Sequence, residues 1–339
     1  MKKKLLILSL FMAFGLNACS LIKNEAPQEV QSTPELTPEP TPEPKTPNRI
    51  LIVPKSLDQS YQSQIETDAN IAAQELGIEV RFAGSNSADA AEQYQAIETE
   101  IAADFDAIAI APDSQEVIEK VSSWANQTGK TIIDWDTTGN TGLANASVLP
   151  VDGNAMAEKL VDQMVSAMGT DIGEYAILIG NENDVAVKQW AQHAVDYAKS
   201  KYSNLTFDSE PQPTRSDETE AVKKTDDILY AFPDLKGLIS FDFTSTVGAA
   251  NAIKARELQD TVALVGVANQ DEVSSALSDQ SLDAGVTYNY ENVGYILVAL
   301  ANHIADGNPI IDFSNDMPVQ YTSAEDNKIY VNNFTELAK

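Results

Sequence analysis

The stretch Asp106-Ala-Ile-Ala-Ile-Ala-Pro-Asp-Ser-Gln115 combines an apolar strand-like run with a turn and the start of a helix. A second stretch, Gly237-Leu-Ile-Ser-Phe-Asp-Phe-Thr-Ser-Thr246, repeats this pattern further along the chain. Uninterrupted apolar runs are typical of strands that are buried on both faces of a parallel sheet. Each stretch is followed by a helix-like segment and another apolar run. The pair therefore indicates one architecture that is used twice.

Strand-like and helix-like runs alternate on both sides of these stretches. Apolar runs predict strands at residues 49–54, 78–83, 106–111 and 131–135, and a second series at 175–179, 205–208, 238–241, 262–267 and 284–288. Helical spacing is clear at Ile65, Ala69, Ala72 and Leu76, before a terminating Gly77. Such alternation builds right-handed βαβ units around parallel sheets. The sequence predicts an α/β fold of two doubly wound parallel-sheet, Rossmann-like domains.

The composition of the chain narrows the range of functions to be considered. The chain has 339 residues, of which 43% are hydrophobic, and this suits two globular domains. Its 51 acidic and 22 basic residues give a net charge of −29, which disfavours nucleic acid as a partner. With one cysteine, and with His193 and His303 far apart in sequence, no metal site is expected. No nucleophile elbow, metal-ligand spacing or phosphate-binding glycine loop appears. We therefore expect a binding protein without catalytic residues or a cofactor.

The N-terminus has the pattern of an export signal. Three lysines precede an apolar run at residues 5–16, which is too short to span about 30 Å of hydrocarbon but typical of a signal peptide. The run ends Leu16-Asn-Ala-Cys19, which resembles a bacterial lipobox whose cysteine is acylated, for example with palmitate. The alternative is an ordinary secreted protein with an incidental cysteine. We predict a signal peptide at 1–18, lipidation of Cys19 and anchoring to the outer face of the cell membrane, or a periplasmic location in a two-membrane organism.

Residues 19–48 form the next predicted segment. They contain repeated Thr-Pro-Glu units between residues 33 and 44. Proline keeps such a segment extended, and glutamate keeps it solvated. This segment is therefore interpreted as a stalk rather than as part of a folded domain.

The ends of the predicted strands nominate a ligand site. In doubly wound sheets, ligands bind beyond the carboxyl ends of the strands, so two facing domains leave a cleft between them. Carboxylates and amides there can hydrogen-bond a polar ligand, and aromatic side chains offer it apolar faces. The predicted ligand-binding residues are Lys55, Tyr61, Trp135, Asp136, Asn183, Asp184, Asp242, Asn269, Tyr288 and Asn289. Ser56, Asp113, Thr137, Asn181 and Thr244 lie at further strand ends.

Each of these predictions has a structural alternative. Asp136 is also a candidate turn residue, and Asn183 and Asp184 are candidate helix caps. The side chain of Trp135 alternates with its neighbours and is equally suited to the core. In the alternative interpretation, Lys55 faces solvent and Tyr61 packs along its helix. Tyr288 and Asn289 then pack in the hinge. At Asp242, either the aspartate or the following phenylalanine can face the cleft. For Asn269 the two interpretations remain even.

Several motifs together resemble a known family. They are Ile52-Val-Pro-Lys55, Gln74-Glu-Leu-Gly77, Phe105-Asp-Ala-Ile-Ala-Ile110, Lys130-Thr-Ile-Ile-Asp-Trp-Asp-Thr137 and Ala231-Phe-Pro-Asp-Leu-Lys-Gly-Leu238. In order and spacing, the chain from residue 49 resembles substrate-binding lipoproteins of bacterial ABC importers. These belong to the type I periplasmic-binding-protein superfamily, and the resemblance is to the ribose, rhamnose and autoinducer-2 binding proteins.

The resemblance implies two lobes that close on a sugar. Three crossing segments are expected near residues 150–151, 287–289 and 310–313. The lobes then comprise residues 49–150 plus 290–311, and residues 151–289 plus 312–339. The family's ligand lysine, stacking aromatic and two acidic groups correspond to Lys55, Tyr61, Asp136 and Asp242.

The chain also departs from its relatives in the cleft. Autoinducer-2 binders carry an Asp-Gln pair where Ala186 and Val187 stand, and the ribose type carries an aspartate where Ala268 stands. The resemblance therefore does not name the ligand. The leading interpretation is a monomeric receptor that captures a sugar-like solute for an ABC permease. Alternatives are a sensor that signals to a chemoreceptor or histidine kinase and, with weak support, a hydrolase.

Overall fold

The computed structural model describes residues 46–58, 61–87, 89–137, 142–313, 319, 321–323 and 326–338. The predicted signal peptide, Cys19 and nearly all of the predicted stalk lie outside these residues. Within the described part of the chain, no helix is long and apolar enough to cross a membrane. From Arg49 onward, strands and helices alternate, as the sequence predicts.

The chain first builds most of one lobe. Its elements are β1 (Arg49–Val53), α1 (Gln62–Leu76), β2 (Glu79–Phe82), α2 (Ala90–Ile101), β3 (Ala107–Ile110), α3 (Gln115–Thr128), β4 (Thr131–Trp135) and β5 (Ala146–Leu149). Strands β1, β3 and β4 are buried almost throughout, because helices cover both faces of a doubly wound sheet.

The second lobe follows. Its elements are α4 (Gly153–Met168), β6 (Gly173–Ile179), α5 (Val185–Lys201), β7 (Leu205–Thr206), β8 (Gln212–Pro213), α6 (Glu218–Ala231), β9 (Leu235–Ser240), α7 (Phe243–Ala255), β10 (Ala263–Val267), α8 (Gln270–Ser278) and β11 (Ala284–Thr287). The chain ends with α9 (Val293–Ala305), a 3-10 turn (Ile310–Asp312), β12 (Thr322–Ser323), β13 (Lys328–Tyr330) and β14 (Thr335–Glu336).

The strands form two sheets. The first has the order β12-β13-β5-β4-β3-β1-β2, and the second has the order β14-β11-β10-β9-β6-β7 with β8 also paired to β6. Pairing is parallel except for β12 with β13 and β14 with β11. The predicted α/β fold is confirmed, and all nine predicted strands are present. Strands β5, β8 and β12–β14 were not predicted, because most of them are only two or three residues long and show no periodic pattern.

The C-terminal strands do not all lie in the lobe to which the sequence assigned them. Strand β13 pairs with β5 of the first sheet and with β12, so β12 and β13 belong to the first lobe and not to the second. The chain reaches the second sheet only at β14, which pairs with β11. The third crossing segment therefore lies at residues 331–334, whereas 310–313 was expected. Residues Ile310–Asp312 form a 3-10 turn that packs beside the core of the first lobe.

Helix α9 returns the chain to the first lobe. Every residue from Val293 to Ala301 is buried, and the helix packs against α1. The close approach depends on Gly294, because a Cβ there would lie 2.1 Å from the backbone oxygen of Ile65 and 2.9 Å from the backbone nitrogen of Ala69. Both atoms belong to the rigid backbone of α1, so they cannot move aside cheaply.

We therefore expect Gly294→Ala to destabilise the protein by about 1–3 kcal/mol, the usual cost of overpacking a core. Urea unfolding measures the change. The matched control is Gly84→Ala, where the nearest atom would lie 3.4 Å from the new Cβ, an ordinary contact. An equal and small effect of both substitutions would contradict the close approach of α1 and α9.

Candidate functional site

A cavity of about 850 Å³ lies where the carboxyl ends of both sheets meet. This is the place at which doubly wound sheets bind ligands. Its wall comes from both lobes and from the second crossing segment. The lining residues are Lys55, Tyr61, Gln64, Asp113, Asp136, Gly180, Asn181, Asp184, Ala186, Val187, Trp190, Arg215, Ser216, Phe241, Asp242, Phe243, Thr244, Asn269, Glu272, Tyr288, Asn289, Tyr290 and Glu291.

An ion-pair network lies at the centre of the wall. The Lys55 Nζ lies 2.7 Å from Asp136 Oδ2 and 2.7 Å from Asp184 Oδ2. Lys55 and Asp136 follow strands of the first lobe, whereas Asp184 begins α5 of the second, so the network joins the lobes across the cleft. Burial alone would lower the pKa of Lys55, but the two carboxylates outweigh burial and hold this pKa well above its usual range. The lysine is therefore a fixed cation at neutral pH.

Local backbone geometry aims Asp136 into the cleft. The residue directly follows β4 and has a φ of 61°, a left-handed conformation that aspartate tolerates better than most residues. This bend ends the strand. One oxygen of the carboxylate is held by Lys55, and the other accepts a 2.6 Å hydrogen bond from the Tyr290 hydroxyl.

Six aromatic side chains line the cavity, and five of them contact one another beside this network. Tyr61 stacks on Tyr290 with ring centroids 3.8 Å apart and an interplanar angle of 13°. Tyr288 lies against three rings, with centroid distances of 5.3 Å to Phe243, 5.9 Å to Tyr290 and 6.3 Å to Trp190. Burial raises the pKa of Tyr61 and of Tyr290 well above the usual range, so both phenols keep their protons. The rings thus offer apolar faces and hydroxyl donors together.

A fully buried glutamine holds two cavity loops together. The Gln93 side chain, on α2, donates to the backbone oxygens of Pro54 at 2.9 Å and Ala111 at 2.8 Å. Its own oxygen accepts from the backbone N–H of Asp113 at 3.0 Å. These bonds fix the segment before Lys55 and the segment that carries Asp113. The sequence analysis missed Gln93, because nothing in its spacing distinguishes it from a surface glutamine on a helix.

Two predicted ligand residues also cap helices. Asp184 Oδ1 accepts from the backbone N–H groups of Ala186 and Val187 at the start of α5. Asp242 caps α7 through the Ser245 backbone N–H at 2.8 Å, and its second oxygen accepts from the Ser216 hydroxyl at 2.8 Å. The capping alternative is therefore correct for Asp184, whereas the cap formed by Asp242 was not predicted; both residues also line the cavity.

The structure separates the predicted residues into two groups. Eight of the ten line the cavity, namely Lys55, Tyr61, Asp136, Asp184, Asp242, Asn269, Tyr288 and Asn289. The prediction differs from the structure for Trp135 and Asn183, which do not line it. Trp135 is fully buried in the core of the first lobe, because side chains alternate along a strand and Asp136 takes the cleft side. Asn183 is exposed in the turn before α5.

Tyr290 and Trp190 were absent from the predicted set, and Phe243 was considered only as the alternative to Asp242, although both Asp242 and Phe243 line the cavity. Trp190 and Phe243 lie within helices, where their side chains equally suit a core. Tyr290 lies two residues beyond the predicted Tyr288. Side chains two residues apart on an extended segment point to the same side, so the prediction of Tyr288 could have been extended to Tyr290. In the described part of the chain, no group of three histidine, cysteine or carboxylate side chains is placed to hold a metal ion.

The chain is similar to curated proteins, to solved structures and to a family model that all describe binding proteins. The chain is 27% identical over 244 residues to a D-apiose import binding protein from Paraburkholderia graminis, which covers 70% of this chain and 75% of the relative. A solute-binding protein of an ABC transporter from Clostridium phytofermentas, solved with L-rhamnose, has a TM-score of 0.72 at 20% identity. The alignment covers 86% of this chain and 96% of that one.

A similar protein from Agrobacterium vitis, solved with α-D-tagatopyranose, has a TM-score of 0.70 at 21% identity, covering 86% of this chain and 94% of the other. At such identities the solved structures establish the shared fold. The family model described as the periplasmic binding protein domain matches residues 50–309, which is most of the chain. The chain therefore belongs to the periplasmic binding protein domain family.

Proposed function

We propose that this protein captures a sugar outside the cytoplasm and delivers it to an ABC permease. The observation that carries the proposal is the composition of the cavity wall. Carboxylates, amides and a fixed lysine can bond hydroxyl groups, and stacked tyrosines can cover the C–H face of a ring. Relatives that are named for apiose import or solved with rhamnose support a sugar as the ligand and transport as the role.

The proposed mechanism is closure of the lobes about the crossing segments. Asn332 connects all three segments, since its backbone N–H donates to Pro150 at 3.0 Å and its side chain donates to the backbone oxygens of Glu291 at 2.9 Å and Asn289 at 3.2 Å. The lobes can rotate about this cluster while the cavity wall separates. A ligand that contacts both lobes then favours the closed state, which the permease recognises.

The remaining parts of the proposal concern the N-terminus and the role. Acylation of Cys19 would hold the lobes at the outer face of the membrane, on the predicted stalk. Import is favoured over sensing because two curated relatives are named as import binding proteins. Binding is favoured over catalysis because the carboxylates of the central network are occupied by Lys55, Tyr290 and helix N–H groups.

A ligand screen tests the proposal. Thermal unfolding of the full chain is measured with D-apiose, L-rhamnose, D-arabinose, hexoses and polyols, and any stabilising sugar is confirmed by calorimetry. A sugar at about 100 times its Kd adds about 2.7 kcal/mol of stability. Asp136→Asn, which suits the left-handed backbone, should weaken that binding at least about tenfold, the effect of losing one bond to a charged group. Asp234→Asn, on an exposed loop before β9, is the control. Failure of every sugar to stabilise a folded protein would overturn the proposal.

A further inference from the structure

Asp113 is a buried acid that the fold leaves unused. It follows β3 at the carboxyl end of the first sheet, lines the cavity and is 7% exposed. Its Oδ2 is buried and has no hydrogen-bond partner among the described residues. A buried carboxyl oxygen without a hydrogen-bond partner is unfavourable, and more so when the group is charged. A buried polar group that stays unpaired in a native structure needs an explanation, and a contact with a bound ligand would provide one.

The structural roles of this position are filled by neighbouring groups. Ser114, not Asp113, caps α3, because the Ser114 hydroxyl oxygen accepts from the Val117 backbone N–H at 3.3 Å. Gln93 holds the Asp113 segment through the backbone N–H and not through the carboxyl group. The Lys55 ammonium is paired with Asp136 and Asp184. The backbone of Asp113 is therefore held in place, and none of these contacts uses its carboxyl group.

The cavity as a whole is rich in acceptors. Six carboxylate side chains line it, against the two basic side chains of Lys55 and Arg215. Lys55 is already neutralised, and Arg215 lies 78% exposed, 3.5 Å from Glu220. An anionic ligand would have to enter this negative field with only the exposed and weakly paired Arg215 to meet it. A ligand rich in hydroxyl donors and without negative charge fits the wall.

From this geometry we propose that Asp113 is a specificity-determining ligand residue, which accepts a hydroxyl hydrogen from an uncharged sugar and repels acidic sugars. The inference rests on the proposed sugar-binding function and adds a contact and a selection rule to it.

The contact predicts a coupling between binding and a proton. Burial raises the pKa of Asp113 to about 7; Lys55 opposes this shift, and the carboxylates of Asp184, Asp89 and Asp136 add to it. A hydroxyl that donates to the carboxylate favours its charged form, so binding lowers this pKa again. At pH 7 a proton is then released on binding, and affinity for a neutral sugar rises between about pH 6 and pH 8.

The test uses the full chain, Asp113→Asn, and Asp260→Asn as the matched control. Asp260 is exposed and precedes β10, at the opposite end of the strand from the cavity. The probes are neutral sugars paired with their acids: D-galactose with D-galacturonate, D-glucose with D-glucuronate, and D-arabinose with D-arabinonate. Calorimetry in phosphate and in Tris gives both the affinity and the number of protons released.

We expect the unsubstituted chain to bind its neutral sugar at least tenfold more tightly than the paired acid and to release a proton. Asp113→Asn should lose about tenfold in affinity, release no proton and discriminate less against the acid, whereas Asp260→Asn should change none of these. Unchanged affinity and unchanged proton release in Asp113→Asn would overturn this inference alone. If no sugar binds the unsubstituted, folded chain, the proposed function fails and this inference fails with it.

Discussion

Replacement of Lys55 by methionine should remove sugar binding and lower the free energy of unfolding by about 3 kcal/mol. The ammonium group separates Asp136 and Asp184, each 2.7 Å away, and its side chain is only 10% exposed. Removing one member of a buried ion-pair network typically costs 3–5 kcal/mol, because the remaining charges are left buried without a partner. Here two carboxylates of opposite lobes would then repel each other. Opening of the cleft relieves part of this cost, so we expect the lower end of the range.

Urea unfolding and calorimetry with D-apiose, L-rhamnose and D-arabinose measure both effects. The matched control is Lys223→Met on α6, which breaks an exposed pair between Lys223 and Asp227 of the same 2.7 Å length. Exposed pairs contribute about 0–1 kcal/mol, so this variant should bind sugar normally and remain nearly as stable. If Lys55→Met and Lys223→Met behaved alike, the network across the cleft would have no energetic role.

Replacement of Trp135 by alanine should destabilise the protein by about 3–5 kcal/mol, as expected for the loss of a large side chain from a core. Trp135 is fully buried among the apolar residues of the first lobe, on the opposite side of β4 from the cavity. The milder Trp135→Phe should keep most of the stability and bind sugar within about threefold of the unsubstituted chain, because the ring does not touch the cavity.

Trp124→Ala on α3 serves as the control, since this tryptophan is only half-buried and should lose less stability. Urea unfolding compares the three variants, and calorimetry measures sugar binding by Trp135→Phe. A folded and stable Trp135→Phe that no longer binds any sugar would show that Trp135 acts in the ligand site after all.

The sequence alone determined the α/β class and the placement of the long strands. Runs such as Ala107–Ile110 and Ala263–Val267 are apolar throughout, because both faces of a parallel strand are covered, and this local signal needs no knowledge of tertiary contacts. The short strands form because of the neighbouring strands with which they pair. Lys328–Tyr330 forms a strand because β5 offers an open edge beside it, and nothing within three residues of sequence encodes that edge.

The same division applies to the site. The topology of doubly wound sheets places ligands at the carboxyl ends of the strands. Lys55, Asp136 and Asp242 follow predicted strands, so they could be predicted from the sequence. Which side of a strand end faces the cleft depends on the backbone, and the left-handed turn at Asp136 sends the carboxylate into the cavity while Trp135 enters the core.

Only the tertiary structure brings Tyr61 onto Tyr290 and places Asp184 against Lys55, since these partners come from segments that are distant in sequence. It also leaves Oδ2 of Asp113 without a hydrogen-bond partner among the described residues, because Ser114 caps α3 and Gln93 bonds the Asp113 backbone instead. The sequence determined which residues reach the cleft through strand order. The packing of the two lobes decided which of them bond to one another and which remain available for a ligand.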